Sequence, residues 1–324
     1  MKTLSICIPT YNRASLLKDS LSAIVLSIPK DRRDFVEIVI SNNDSSDNTK
    51  DIIDFYVESN PSILWKIVHQ NPNIGPKNTA VVTQYATGEF VWIISDDDIV
   101  LPHAIQDIFS VIDQHHEIDA MIINYAGFQE NPERLEKTVL KKLSGLLSDS
   151  EAFEHLSTSI TFISSLIYRR AKVKLKEQFL ENNLPHSYIF LDAIASGKVY
   201  SQAEPLLAMR MGNSGGYDFY KVFVEMFENV LNYASSLGFD DQLVNKIRRK
   251  NLRTHITVFS IIFKASGAYG DLKINKVEAA QLIRKYNTKD KYANLLANFV
   301  LAPDILALPI NLVRLARRKL LNRF

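Results

Sequence analysis

Phe90-Val91-Trp92-Ile93-Ile94 is an unbroken apolar run that ends in Ser95-Asp96-Asp97-Asp98. A run this short, closed by polar residues, predicts a strand buried on both faces of a sheet. Pro102 follows, and a helix is expected over 104–112. The same unit recurs toward the amino terminus. Residues 4–9 read as a strand, and Leu16, Leu17, Leu21, Ile24 and Val25 then recur at helical spacing behind Asn12 and Ser15, both able to cap a helix. Residues 35–40 read as a second strand, followed by the polar 41–49 stretch and a helix marked by Ile52, Ile53, Tyr56 and Val57. Residues 64–68 read as a third strand and 77–86 as a helix. Strand and helix in alternation predict an α/β fold with parallel strands and right-handed crossovers.

Parallel sheets bind ligands in the crevice beyond the carboxyl ends of their strands. The polar residues fall at those ends: Thr10-Tyr11-Asn12-Arg13, then Ser41 to Asp47, then Asp96-Asp97-Asp98. Loops are polar in any protein, so this coincidence points to a place before it points to a ligand. Further on, 120–125 reads as a strand, 128–150 as a polar loop with one strand, and 162–168 as another strand. Residues 184–195 read as a loop feeding a helix that Gly197 ends, and from Tyr217 the pattern is helical. Two domains are expected, 1–215 and 216–324.

Composition narrows the class. The 324 residues hold 38 basic and 36 acidic side chains, a net charge of +2, so no basic field marks a nucleic-acid binder. Cys7 is the sole cysteine, which excludes a disulfide framework and a cysteine-rich zinc site. The apolar stretch after Met1-Lys2-Thr3 is too short to be expected as a secretory leader. The longest apolar tract, 297–313, is broken by Asn298, Pro303, Asp304, Pro309 and Asn311, so no spanning helix is expected.

Three adjacent carboxylates at a strand tip repel one another. A hard divalent cation relieves them through carboxylate oxygens, and magnesium completes its shell with water and substrate phosphates. A solvated acidic turn before the next helix is the plainer alternative. The 41–49 stretch can meet a nucleobase edge or ribose, or form a turn with Ser46 or Asp47 capping a helix. Asn73-Ile74-Gly75-Pro76-Lys77-Asn78 is a turn opening a helix, where backbone N–H groups and Lys77 can approach a base or phosphate; a solvated lysine is the plain alternative.

Taken in order, Cys7-Ile8-Pro9-Thr10-Tyr11-Asn12-Arg13, Ser45-Ser46-Asp47-Asn48-Thr49, Asn73-Ile74-Gly75 with Ala86-Thr87-Gly88-Glu89-Phe90, and Ser95-Asp96-Asp97-Asp98 with Pro102 resemble the family 2 glycosyltransferases of GT-A fold. Ser164-Ser165-Leu166-Ile167, Pro185-His186 and Glu204-Pro205-Leu206 are similar to abequosyltransferase-like enzymes of O-antigen assembly. The resemblance covers residues 1–215. It implies a Rossmann-like mixed sheet flanked by helices, with the α-helical carboxyl-terminal region as an extension. It also implies a nucleotide-sugar donor, a divalent metal (Mg2+ or Mn2+) and inverting transfer to a glycan or undecaprenyl-diphosphate-linked acceptor in surface polysaccharide synthesis.

Carried over, Pro9, Thr10, Tyr11, Arg13, Lys77 and Asp96 would meet the nucleotide, and Asp97 and Asp98 the metal. Where the family often has paired acids after its second strand, this chain has Asn42 and Asn43, also expected at the nucleotide. Where its aspartate-x-aspartate begins, this chain has Ser95. The position of the family's acid pair before a helix ending in Gly197 holds Pro185-His186. His186 is thus the candidate base, its imidazole expected near 6.5, with Asp192 as fallback. Binding the acceptor or capping the helix is the alternative for His186. Arg210 can neutralise a departing diphosphate by bidentate contact, or form a surface ion pair.

Residues 312–324 carry Arg314, Arg317, Arg318, Lys319 and Arg323 without an acid, and Leu312, Leu315, Ala316, Leu320 and Phe324 fall roughly on one helical face. That pattern predicts a helix lying in an anionic interface, hence a cytoplasmic protein peripheral on the inner face of the membrane; a helix docked on the core is the alternative. A dinucleotide oxidoreductase would need glycines after the first strand, where Ile8-Pro9-Thr10-Tyr11-Asn12-Arg13 has none. A catalytically inactive nucleotide-sugar or membrane-surface binding protein of the same fold is the remaining rival.

Overall fold

Strand β1 (Leu4–Thr10) is enclosed on both faces, as a central parallel strand should be. Leu4, Ile6 and Ile8 are fully buried, which contributes about 1.5–3 kcal/mol for each side chain. The computed structural model describes residues 3–195, 197–211, 218–266, 274–288 and 290–303. β1 pairs in parallel with β2 (Val36–Asn42) on one side and β4 (Phe90–Ile93) on the other. β3 (Leu64–His69) joins β2 in parallel and forms one edge, half-exposed and carrying Lys66.

The other half of the sheet mixes directions. β8 (Leu166–Arg169) runs antiparallel to β4 and to β6 (Ala120–Phe128). β6 runs parallel to β9 (Val199–Arg210), against which β5 (Ile99–Val100) and β7 (Gly145–Leu147) pair antiparallel. The order is β3-β2-β1-β4-β8-β6-β9-β5, with β7 off the path on β9. Helix α1 (Ala14–Ser27) packs on α2 (Thr49–Ser59) and α4 (Ala104–Gln114). Between these in sequence lies the single turn α3 (Asn78–Val81), which packs with α5 (Asp149–Leu156) and the short α6 (Glu177–Leu180) around α7 (Pro185–Ile194).

Several elements differ from the sequence expectation, each for a local reason. Helix α1 is capped neither by Asn12 nor by Ser15: Asp47 reaches across from the β2–α2 loop to accept from Ala14 N at 3.0 Å. Asn12 instead adopts a left-handed backbone (φ 51°) and accepts from Ser46 N at 2.7 Å. The expected 77–86 helix breaks into Gly75–Lys77, α3 and Val82–Tyr85, the outer two with 3-10 geometry. Three β-branched residues in a row, Val81, Val82 and Thr83, disfavour an α-helix there, and the Thr83 hydroxyl bonds Ala80 O at 2.7 Å. The expected 162–168 strand starts only at Leu166, because Ser165 folds back on Phe162 O. Helix α5 occupies the end of the expected 128–150 loop, and Ser148 and Glu151 form its reciprocal capping box.

The chain divides into two compact units, Met1–Gly212 and Asn213–Phe324. The described part of the second unit is helical: α8 (Phe227–Ser236), α9 (Asp241–Lys250), α10 (Thr257–Ser266), α11 (Lys276–Tyr286) and α12 (Lys291–Leu301). Wider π turns, Lys221–Met226 and Asn251–Ile256, lead into α8 and α10. Its core gathers Phe219, Tyr220, Leu252, Ile256, Phe263, Ile283 and Val300. Buried Lys264 caps the end of α12, donating to Phe299 O at 2.8 Å and Ala302 O at 2.5 Å. Among the described residues no helix is long and apolar enough to cross a membrane. The basic 312–324 stretch lies outside the described residues.

Candidate active site

Register builds the site. Thr10 is level with Asn42, and Cys7 with Ile93. The β1–β4 ladder ends at that pair, and the turn three residues on sets Asp96 beside Thr10. The carboxyl ends of β1, β2 and β4 therefore converge, and the side chains expected at the nucleotide share one edge. Buried Thr10 Oγ1 stands beside Asp96 without a formed hydrogen bond. Tyr11 is half-exposed.

The acidic tip is held from three directions. From the head of α1, Arg13 places Nη1 3.0 Å from Asp96 Oδ1 and 3.3 Å from Asp97 Oδ2. Ser95 donates its hydroxyl to Asp97 Oδ1 at 2.5 Å. Behind the tip runs a directional chain: Ser95 N donates to Ser164 Oγ at 3.0 Å, and that hydroxyl donates to Asp98 Oδ2 at 2.7 Å. β5 then folds the chain antiparallel onto β9, with Ile99 opposite Ala208. That turn brings Arg210 N to Asp98 Oδ1 at 3.3 Å. Both oxygens of Asp98, expected at the metal, thus accept hydrogen bonds from the protein, and the side chain is buried.

Arg210 closes the other side. Its Nε donates to Asp97 O at 3.2 Å, its Nη2 lies 3.2 Å from Asp19 Oδ2, and its guanidinium covers the Phe128 ring at 4.9 Å. Asp19 and Phe128 have no sequence motif; α1 and β6 deliver them through the fold. Burial is the main force on the acids. It lifts Asp96 to about 6 despite the opposing Arg13 charge, and it pushes Asp98 well above the usual carboxylate range, with the neighbouring Asp97 charge adding to it.

The donor set suits a divalent cation. Asp96 and Asp97 offer hard oxygens that already share one cation, the Arg13 guanidinium. No group of three metal-binding side chains is assembled among the described residues, so water and phosphate oxygens would complete the shell, as magnesium prefers.

Asn42 and Asn43 sit at the same edge, each tied to the backbone. Asn42 Oδ1 accepts from Ser45 N at 3.2 Å. Asn43 holds the turn before α3, accepting from Ile74 N at 2.9 Å and donating to Gly75 O at 3.2 Å. Gly75 needs no side chain there, since its φ is +62°. Lys77 is exposed on that turn.

The two base candidates lie on α7, roughly 9 Å apart along its axis. His186 is buried in the first turn, its Nε2 2.8 Å from Thr161 O. Burial lowers its imidazole to about 4, well below the expected 6.5, although the Thr161 bond works in the opposite direction. His186 is therefore neutral at pH 7, and with Nε2 committed to Thr161, Nδ1 is the atom left to take a proton. Asp192 forms an ion pair with Lys176 at 3.0 Å.

Comparison with known proteins agrees with this geometry. The family model described as glycosyl transferase family 2 matches residues 5–174. The abequosyltransferase RfbV of Salmonella typhimurium is 24% identical over 206 residues, which is 58% of this chain and 60% of that protein. A GalNAc(5)-diNAcBac-PP-undecaprenol beta-1,3-glucosyltransferase of Campylobacter jejuni is 34% identical over 108 residues, 32% of this chain and 33% of that one. The chain thus matches less than two thirds of the length of either relative. Among solved structures, S. aureus TarS 1-349 in complex with UDP superposes with a TM-score of 0.62 at 19% identity, covering 100% of this chain and 89% of that one. The mannosyltransferase PcManGT of Pyrobaculum calidifontis, in complex with GDP-Man and Mn2+, does so at 0.54 and 14% identity, covering 94% and 86%. With over half of its length matched by that family model, and a mixed sheet whose tip gathers its acids, the chain belongs to glycosyl transferase family 2 and has the GT-A fold.

Proposed function

We propose that this protein transfers a sugar, with inversion, from a nucleotide-sugar donor to a lipid-linked glycan in the synthesis of O-antigen or another surface polysaccharide. The observation that carries this reading is the meeting of Arg13, Asp96, Asp97 and Arg210 at the carboxyl ends of the central strands. Two guanidinium groups and two carboxylates there match an anionic diphosphate and its counter-cation. Bound magnesium or manganese would supply Lewis acidity at the leaving diphosphate.

The chain's own residues do the rest. Asp97 holds the cation, with Asp96 between it and the nucleotide. Asp98 keeps the tip in place from behind. Arg210, fixed by Asp19 and Phe128, presents a preorganised charge where the diphosphate departs. Pro9, Thr10, Tyr11, Asn42, Asn43 and Lys77 frame the nucleoside. His186 Nδ1 is the atom that would accept the acceptor hydroxyl proton; it is neutral at physiological pH, and burial makes it a weaker base than a solvated imidazole.

A membrane-bound acceptor requires a membrane-facing surface. The second unit holds 18 basic against 9 acidic residues, and the first unit 20 against 27. That asymmetry supports a peripheral position on an anionic cytoplasmic leaflet, with 312–324 as the contact. The Campylobacter relative, whose name gives it an undecaprenol-linked glycan substrate, supports the acceptor class.

The test is a panel of nucleotide-sugars with Mn2+, followed by thermal shift and by nucleotide release with and without lipid extract. Stabilisation with release bears the reading out. Stabilisation without any turnover makes the chain a binding protein of the same fold, and no stabilisation by any donor ends the reading.

A further inference from the structure

The cation position at the acidic tip already holds a cation. Arg13 reaches 83 residues along the chain to bridge Asp96 and Asp97, with one nitrogen, Nη1, serving both contacts. Its backbone is pinned on either side. Asn12 N donates to Ser45 Oγ at 2.9 Å, and Ala14 N donates to Asp47 Oδ2 at 3.0 Å. The base of the side chain is therefore fixed, and the side chain as a whole is about a quarter exposed.

Arg210 differs. Its guanidinium is planted among Asp19, the Asp97 carbonyl and the Phe128 face. A guanidinium binds most strongly through two parallel N–H bonds, and phosphate oxygens fit that fork. Toward the acidic tip Arg13 shares Nη1 between two separate carboxylates. A diphosphate offers paired oxygens that fit the fork.

We propose that Arg13 occupies the metal's place in the free protein and releases Asp96 and Asp97 only when a donor diphosphate takes over its guanidinium. Arg13 and the divalent ion compete for the same oxygens, and the diphosphate resolves the competition by binding both. Metal and nucleotide therefore bind as a coupled pair. By linkage, each raises the affinity for the other by the same factor. The free enzyme is thereby kept from holding a divalent ion without its substrate. This inference rests on the donor reading above, but its first arm needs no nucleotide.

The experiment compares the full chain with Arg13→Gln and Arg13→Lys by calorimetric titration. Mn2+ is titrated alone, and UDP, CDP and GDP are each titrated with and without Mn2+. Removing the competing charge should tighten Mn2+ binding to Arg13→Gln by about tenfold, a modest part of what a like charge at contact distance exerts. The nucleotide-to-metal coupling should shrink by a similar factor. Arg13→Lys keeps the charge and should stay within about threefold of the parent for Mn2+ alone. Unchanged or weaker Mn2+ binding by Arg13→Gln, with its melting temperature retained, overturns the exchange. Should Arg13→Gln melt early, Arg13→Met, which keeps the apolar stem without the charge, takes its place: tighter Mn2+ binding supports the exchange, and unchanged or weaker binding overturns it. If no nucleoside diphosphate binds the parent under either condition, the donor reading fails while the Mn2+ comparison still decides the Arg13 competition.

Discussion

The two ends of the central strands each bury carboxylates and treat them in opposite ways. At the amino end, Glu37 of β2 is enclosed and accepts from Ser5 Oγ, Thr87 N, Thr87 Oγ1 and Gly88 N. Burial alone would raise its carboxyl, yet these donors together hold it below the usual glutamate value. At the carboxyl end, burial prevails: Asp96 and Asp98 are lifted, and Asp97 stands between them. Glu37 is met on both oxygens by the protein's own donors, and so is Asp98, whereas Asp96 and Asp97 share the Arg13 guanidinium. The first two belong to the architecture, and the pair at Arg13 is where the proposed external cation would bind.

The contrast breaks most visibly at Asp97. Asp97→Asn should lower sugar transfer by about 10³-fold, the scale of losing one preorganised charge contact, while the melting temperature stays near the parent's. Near-normal transfer rates would remove Asp97 from the cation site. At the other end the effects invert. Glu37→Ala should leave Mn2+ and nucleotide binding intact but cost about 2–4 kcal/mol of stability, since several buried donors lose their acceptor at once. Urea unfolding measures it, and an unchanged midpoint would show that the network carries no weight. The sign with pH follows from the lowered folded value. The Glu37 contribution is complete above the ordinary glutamate value and is lost as pH falls through the folded one. The stability gap between parent and Glu37→Ala should therefore narrow on acidification.

His186 sharpens the comparison from a third place, a buried imidazole that is neutral because it is desolvated. His186→Ala should reduce turnover by about 10²-fold, within the usual range for a positioned base, and leave nucleotide affinity unchanged. Because the imidazole lies near 4, protonation of His186 should not produce an acid limb in turnover between pH 8 and 5. A limb there that disappears in His186→Gln would show an imidazole far more exposed than its surroundings indicate.

The parallel half of the sheet was legible because each strand is a short apolar run closed by polar residues, and the acids stand where those runs stop. Asp96, Asp97, Arg13 and Thr10 were readable for the same reason. What the sequence hid depends on contacts across long separations. Asp47 was readable as a cap but not as the cap of α1, because loop-to-loop reach has no local signature. β5 is two residues long and carries no periodicity, yet it decides that Arg210 N meets Asp98. Asp98 looked equivalent to Asp97 as a string of letters. Only the turn into β5 shows that Arg210 N and Ser164 take up its two oxygens, and only burial shows that His186 departs from an ordinary imidazole.

Ser164 gives the smallest and most discriminating prediction. It is fully buried and joins the backbone of the acidic tip to Asp98, accepting from one and donating to the other. Ser164→Ala removes both bonds and leaves Ser95 N and one Asp98 oxygen without partners, so some loss of stability is expected whatever its role. If the chain from Ser95 through Ser164 and Asp98 to Arg210 keeps the tip aligned with the leaving group, turnover should also fall by about tenfold, as small misplacements at a reacting centre are costly. Nucleotide affinity should hardly change. Ser164→Thr retains the hydroxyl and should restore turnover even if the added methyl lowers the melting temperature. Parallel loss of stability with full turnover in Ser164→Ala would make this chain part of the core alone, and the acidic tip would then owe its alignment to Arg13 and Arg210.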